Sequence, residues 1–177
     1  MVGIVDYKMG NLLSVFNALE YIGEEPVICT SPKQLHKIEK IILPGVGAFG
    51  DCINTLTQTG FSDMLNEMVT IKKKPILGIC LGMQVMAKYG YESGGHDGLG
   101  WFDAEVILIE PDDKSLHIPH VGWNNISYQK SNPLFKNIPD NADTYFVHSF
   151  YMKCNNKNDV IATCDYGMKI TAAVNRN

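Results

Sequence analysis

Pro75-Ile-Leu-Gly-Ile-Cys-Leu-Gly-Met-Gln84 is the stretch whose reading decides the fold. An apolar strand pattern runs into G-x-C-x-G and then into a helical pattern over residues 81–89. This is the cysteine form of the nucleophile elbow. A sharp strand-to-helix turn lifts the Cys80 side chain above the strand ends, where open α/β sheets bind ligands. Gly78 and Gly82 leave room for close neighbours. A helix starting at Leu81 would put its positive end and its free N–H groups beside the sulfur, favouring thiolate over thiol. The Leu81 N–H would point where an oxyanion forms. An isolated cysteine is by default a buried structural residue. The strand before, the helix after and the flanking glycines mark Cys80 instead as the candidate nucleophile.

Working outward, the same alternation repeats towards the N-terminus. Val2-Gly-Ile-Val-Asp6 reads as a buried parallel strand. Leu12, Val15, Phe16, Leu19 and Ile22 then recur at helical spacing, with Gly23 where a helix stops. Pro26-Val-Ile-Cys-Thr30 and Lys40-Ile-Ile-Leu-Pro44 read as strands, and Ser31-Pro32 as the start of a short helical segment. Residues 51–74 read as a polar, partly helical stretch whose Lys72-Lys73-Lys74 run is a solvated helix end. Strand and helix alternate four times before Tyr91. That order predicts an α/β fold: a doubly wound, flavodoxin-like, mostly parallel sheet. Beyond Tyr91 the texture changes. Ser93-Gly-Gly-His-Asp-Gly-Leu-Gly100 reads as a flexible connection. Short strand-like runs follow at 104–109, 126–128, 144–148, 160–163 and 169–174. They form a β-rich C-terminal extension, and residues 1–177 are read as one domain.

The totals agree and exclude some functions. A chain of 177 residues can bury a core without staples. At 45% hydrophobic and 19% charged, its composition is that of a globular protein. A net charge of −4 with no basic tract argues against nucleic-acid binding. No apolar run approaches the ~20 residues of a membrane span, and no signal peptide precedes the first strand. Cys29, Cys52, Cys80, Cys154 and Cys164 show neither a C-x-x-C pair nor zinc spacing. A reducing cytoplasm is the expected compartment, and no metal or cofactor is expected. His117 and His120 form H-x-x-H without a third ligand; His36 and His96 read as surface residues.

Pro44-Gly-Val-Gly-Ala-Phe-Gly-Asp51 follows the third strand and so lies at the same sheet end as Cys80. Taken alone it is a tight turn; with no Gly-Lys-Ser/Thr after it, it is no phosphate loop. Together with Gly78-Ile-Cys-Leu-Gly-Met-Gln84, however, it resembles the class I (triad) glutamine amidotransferases. Asp6-Tyr7, Gly10-Asn11, Pro119-His-Val-Gly-Trp-Asn124 and Tyr145-Phe-Val-His-Ser149 narrow the resemblance to the glutaminase subunits of imidazole glycerol phosphate synthases.

The resemblance implies that Cys80 attacks the glutamine carboxamide, releases ammonia and leaves a thioester that water hydrolyses to glutamate. It implies oxyanion donors at Gly47 and Leu81, and glutamine contacts at Gly45, Gln84, His148, Ser149 and Phe150. It implies a heterodimer with a (β/α)₈-barrel cyclase, met by Asn11, His120, Trp123 and Asn124. Spacing alone makes Asn11 a helix N-cap, and Trp123 without the family would serve equally as a core residue.

The family closes its triad with a strand running into Phe-His-Pro-Glu, the His as base and the Glu orienting it. This sequence ends Ile170-Thr-Ala-Ala-Val-Asn-Arg-Asn177, with no histidine after His148. The expectation is therefore a C-terminally incomplete chain with little glutaminase activity and an uncovered sheet edge, a truncated gene reading being favoured over an evolved pseudoenzyme. Two rival functions share the pattern: a paralogue supplying ammonia for amidination of a surface sugar, and a catalytically dead binding subunit.

Overall fold

A computed structural model of the chain describes residues 1–129, 132–139 and 141–176. It divides into two compact units, Met1–Trp101 and Phe102–Asn177.

The first unit is built on a four-stranded parallel sheet. Strand β1 (Val2–Val5) is followed by helix α1 (Leu12–Tyr21), β2 (Pro26–Cys29) and β3 (Lys40–Gly45). Helices α2 (Phe49–Gln58) and α3 (Phe61–Asn66) lead to β4 (Ile76–Cys80) and the short α4 (Leu81–Gln84). The strand order β2-β1-β3-β4 with parallel pairing throughout is the doubly wound arrangement that the alternation predicts. Val2, Ile4 and Val5 are buried, as are Ile41, Ile42 and Leu43. Central parallel strands are covered on both faces, which is why these runs are apolar without alternation. Phe49, Cys52 and Leu56 carry the buried side of α2, and Phe61, Leu65 and Met68 continue it. Strand β4 has β3 as its neighbour and no second one among the described residues, and Leu77 and Ile79 stay exposed.

Three local readings are corrected. The helix predicted over 81–89 ends at Gln84, and β5 (Ala87–Gly90) replaces its second half. Gly90 has no room for a Cβ, which would stand 2.6 Å from the Phe49 ring, so the backbone is drawn down onto that ring rather than coiled above it. The flexible connection is in part an ordered hairpin of β5 with β6 (His96–Asp97). Glu92 in its turn accepts a hydrogen bond of 2.8 Å from the Phe49 N–H, satisfying an orphan donor at the start of α2 that Ala48 cannot serve. Lys74 is no solvated helix end: its ammonium donates to the carbonyls of Leu35, His36 and Ile38, closing the 3₁₀ turn Pro32–Lys37.

The second unit is the strand-rich extension. Strands β8 (His120–Tyr128), β9 (Asp143–His148), β11 (Val160–Asp165) and β12 (Lys169–Val174) form an antiparallel sheet in the order β12-β11-β8-β9. Strands β7 (Phe102–Leu108) and β10 (Phe150–Cys154) pair antiparallel beside it in sequence. Ile126, Phe135, Ile161 and Ala162 make one apolar cluster; Ile109, Tyr151 and Ile170 make another. The buried Asp159 carboxylate is met by the Arg176 guanidinium, which also lies 4.8 Å above the Phe102 ring. No helix among the described residues is long and apolar enough to cross a membrane.

Candidate active site

The first unit brings Gly45, Gly47, Cys80, Leu81 and Gln84 to one end of its sheet. Cys80 is the last residue of β4, and Leu81 opens α4. Its backbone sits at φ +54 and ψ −115, a region closed to most L residues. A strained conformation of this kind is what turns a strand sharply enough to present a side chain at its tip.

The turn is tight because three glycines let three backbones meet. A Cβ on Gly82 would lie 1.8 Å from the Leu43 carbonyl oxygen, and one on Gly78 would lie 2.6 Å from the Gly82 oxygen. A Cβ on Gly45 would stand 2.7 Å from the Gly82 nitrogen. Pairing of β3 with β4 sets Gly45 directly opposite Cys80. Gly47, two residues on, has φ +98 and is exposed beside the exposed Val46. The glycine loop thus lies next to the cysteine, as the sequence implied.

Cys80 itself is exposed. The Leu81 N–H bonds to its sulfur, which favours the thiolate, yet desolvation outweighs that bond and pushes the thiol above its ordinary value. The helix that Leu81 opens is four residues long and carries little aligned dipole. Leu81 and Gln84 are buried behind the nucleophile. Among the described residues no histidine is hydrogen-bonded to Cys80.

Beneath Gly45 lies a polar contact that sequence reading missed. The buried Tyr7 hydroxyl donates to the Pro44 carbonyl at 2.9 Å and accepts from the Cys52 thiol at 3.2 Å. Burial first, and the neighbouring Cys52 and Cys80 next, push the phenol far above its usual range. Burial likewise lifts the Cys52 thiol to about 11. The one signal in the sequence was a tyrosine, a residue that needs a partner for its O–H, directly after a buried strand. Asn11 is a helix N-cap, its side chain accepting from the Ser14 N–H at 3.2 Å. His96, read as a surface residue, is half-buried against Gly50; His36 is exposed.

In the second unit, His148, Ser149 and Phe150 form the junction of β9 and β10 and are all half-buried. His148 Nδ1 donates to the Phe150 carbonyl at 2.9 Å, which leaves Nε2 to accept from His120 Nδ1 at 3.2 Å. His120 is only 2% exposed and is stacked by Phe146 and Tyr166 at ring separations of 4.8 and 3.9 Å. Its ring therefore offers no surface to a partner, against the interface role expected of it; alternation along β8 turns it inward. Burial lowers the pKa of both imidazoles. Asn124 is half-buried and donates to the Asp165 carbonyl at 3.0 Å. Trp123 is 73% exposed and meets Tyr145 edge-on at 5.5 Å. Val121 and Val147 are paired beside them on the same outward face and are also exposed.

Comparison with known proteins gives this geometry a context. Residues 3–177 match the family model described as glutamine amidotransferase class-I. The chain is 46% identical over 177 residues to imidazole glycerol phosphate synthase subunit HisH 1 of Campylobacter jejuni, covering 100% of this chain and 87% of that one. It is 43% identical over 178 residues to the HisH subunit of Leptospira borgpetersenii, covering 99% and 87%. Among solved structures, a glutamine amidotransferase superposes with a TM-score of 0.69 at 17% identity, covering 91% of this chain and 78% of that one. PurLQS from Thermotoga maritima superposes at 0.67 with 18% identity, covering 97% and 76%. At such identities these two structures speak for the fold.

Proposed function

The chain belongs to the class I glutamine amidotransferases, and on that footing we propose that it is the glutamine-hydrolysing subunit of an imidazole glycerol phosphate synthase, acting in histidine biosynthesis. The observation that carries this reading is the Cys80 backbone, held at φ +54 at a strand-to-helix junction with Gly45 opposite it. The relatives' names favour the histidine-pathway subunit over a sugar-modifying paralogue.

In the proposed reaction Cys80 Sγ bonds to the carboxamide carbon of glutamine. The carbonyl electrons move onto oxygen, where the Leu81 N–H and the amides of the glycine loop around Gly47 meet the charge. As the carbonyl re-forms, the C–N bond breaks and the nitrogen leaves as ammonia with the proton that the thiol gave up. Water then cleaves the thioester to glutamate. Gly45 and Gln84 in the first unit, and His148, Ser149 and Phe150 in the second, keep the glutamine-holding roles that the resemblance assigns. The protein acts as one amidotransferase domain over residues 1–177, in the cytoplasm.

The ammonia goes to a (β/α)₈-barrel cyclase subunit. The outward stripe of Val121, Trp123, Tyr145 and Val147 supports such a partner, because contiguous exposed apolar and aromatic groups are uncommon on a surface that stays in water. Asn11 and Asn124 are carried to the same partner by the resemblance.

The test reads the covalent step. The chain is incubated with the chloroketone analogue of glutamine, alone and with a histidine-pathway cyclase, and Cys80 labelling is followed by mass spectrometry beside glutamate release. Preferential labelling of Cys80 over Cys52 and Cys154, blocked by glutamine and lost in Cys80→Ala, is the expected result. Labelling no faster than with chloroacetone, or no complex with the cyclase, refutes the proposal.

A further inference from the structure

We propose that Tyr7 is a positioning residue for the Cys80 site: its hydroxyl locks the Pro44 peptide that packs against the nucleophile elbow. This deepens the amidotransferase reading and rests on it. Tyr7 lies just past β1, after Asp6, and is 1% exposed. Its O–H is committed to the Pro44 carbonyl at 2.9 Å, the last peptide before the glycine loop. A Cβ placed on Gly45 would meet both the Tyr7 hydroxyl, at 2.8 Å, and the Gly82 nitrogen, at 2.7 Å. The buried phenol and the turn that carries Cys80 therefore both close on the one space a side chain at Gly45 would need.

The direction of the bond is also fixed. Cys52 Sγ donates to the Tyr7 oxygen, so the phenolic proton is left for Pro44. Burial keeps the phenol protonated, and the hydroxyl acts as a permanent donor to the loop. Without it the Pro44–Gly45 peptide loses its only side-chain anchor among the described hydrogen bonds, and the amides of residues 45–47 lose their aim. Charge developing on the bound carbonyl feels that loss; the amino-acid end of glutamine does not. The defect belongs in the limiting rate and not in affinity.

The test compares wild type with Tyr7→Phe, which keeps the ring and deletes the oxygen. Saturation kinetics of Cys80 labelling by the glutamine chloroketone should show a limiting rate about tenfold lower, a fraction of the ~10²–10³-fold seen when an oxyanion donor is removed outright. Half-saturation and the rate with iodoacetamide, which needs no oxyanion donor, should stay within about twofold. Equal limiting rates overturn the inference, and so does a parallel fall with iodoacetamide, which marks a general structural role. If wild type itself shows no preference for the chloroketone, the amidotransferase reading fails instead. Should Tyr7→Phe not fold, hydrogen exchange of wild type decides: amides of residues 45–47 should exchange far more slowly than those of residues 94–95, and equal rates overturn the anchor.

Discussion

Gly82→Ala isolates the geometry on which the elbow depends. The added carbon would stand 1.8 Å from the Leu43 carbonyl oxygen, so β3 and the elbow must part by about 1.6 Å to restore an ordinary 3.4 Å contact. The obstacle is backbone and cannot rotate away as a side-chain tip would. Overpacking a well-filled site costs ~1–3 kcal/mol and more when main chain must move, so the loss should be about 3 kcal/mol. For a chain of this length that lowers Tm by about 6–12 °C. Because a shift of ~1 Å in reacting groups can cost ~10²-fold in rate, chloroketone labelling of Cys80 should fall about a hundredfold. Gly23→Ala is the control: its φ is +80 but nothing lies within 4 Å of the added carbon, so only backbone strain of ~1 kcal/mol opposes it. Differential scanning calorimetry and labelling kinetics of both variants settle the matter. If Gly82→Ala melts and labels like wild type, or if Gly23→Ala is the worse of the two, close approach of β3 and α4 is not what shapes the site.

Alkali should destabilise the fold. The fully buried Cys52 thiol titrates at about 11 instead of 9.0, so its contribution is present in full below the ordinary thiol value and is lost as pH rises through about 11. Two units correspond to about 2–3 kcal/mol, and the raised Tyr7 phenol acts in the same direction; a urea midpoint unchanged between pH 8 and 11 would contradict this. Acid acts on the second unit: His120 and His148 have lowered values, so the stability they give is complete above the ordinary imidazole value and declines as pH falls through their folded values. His120→Phe should flatten that decline. Arg176→Met leaves the buried Asp159 carboxylate with Asn156 at 3.4 Å as its remaining side-chain donor. The expected loss is about 2 kcal/mol, below the ~3–5 of a fully buried pair because the guanidinium is partly in water. Trp123→Ala should weaken cyclase binding by about 2 kcal/mol, as central aromatic anchors do, and leave free-chain labelling of Cys80 unchanged; calorimetric titration measures the first and mass spectrometry the second.

The parallel sheet and the elbow were legible in the sequence because each was written in local terms. Ile4, Ile42 and Leu43 lie in unbroken apolar runs, and the glycines flanking Cys80 announced a close approach. What escaped was set by partners distant in the chain. The helix expected to continue past Gln84 yields to a strand because Gly90 seats on Phe49, forty-one positions earlier. Lys74 looked solvated, and three carbonyls near Leu35 claim it. His120 was assigned outward from its motif, while strand alternation buries it against Phe146 and Tyr166. The helix that follows Cys80 was expected to run to Tyr89, and it is four residues long.

Strand β4 has a second consequence besides aiming a sulfur. Among the described residues its outer margin has no partner strand, next to open Leu77 and Ile79, which is the profile of a template for adding another strand. Two molecules meeting there could zip margin to margin. Storage at low concentration, or a lysine in place of Leu77, guards that margin.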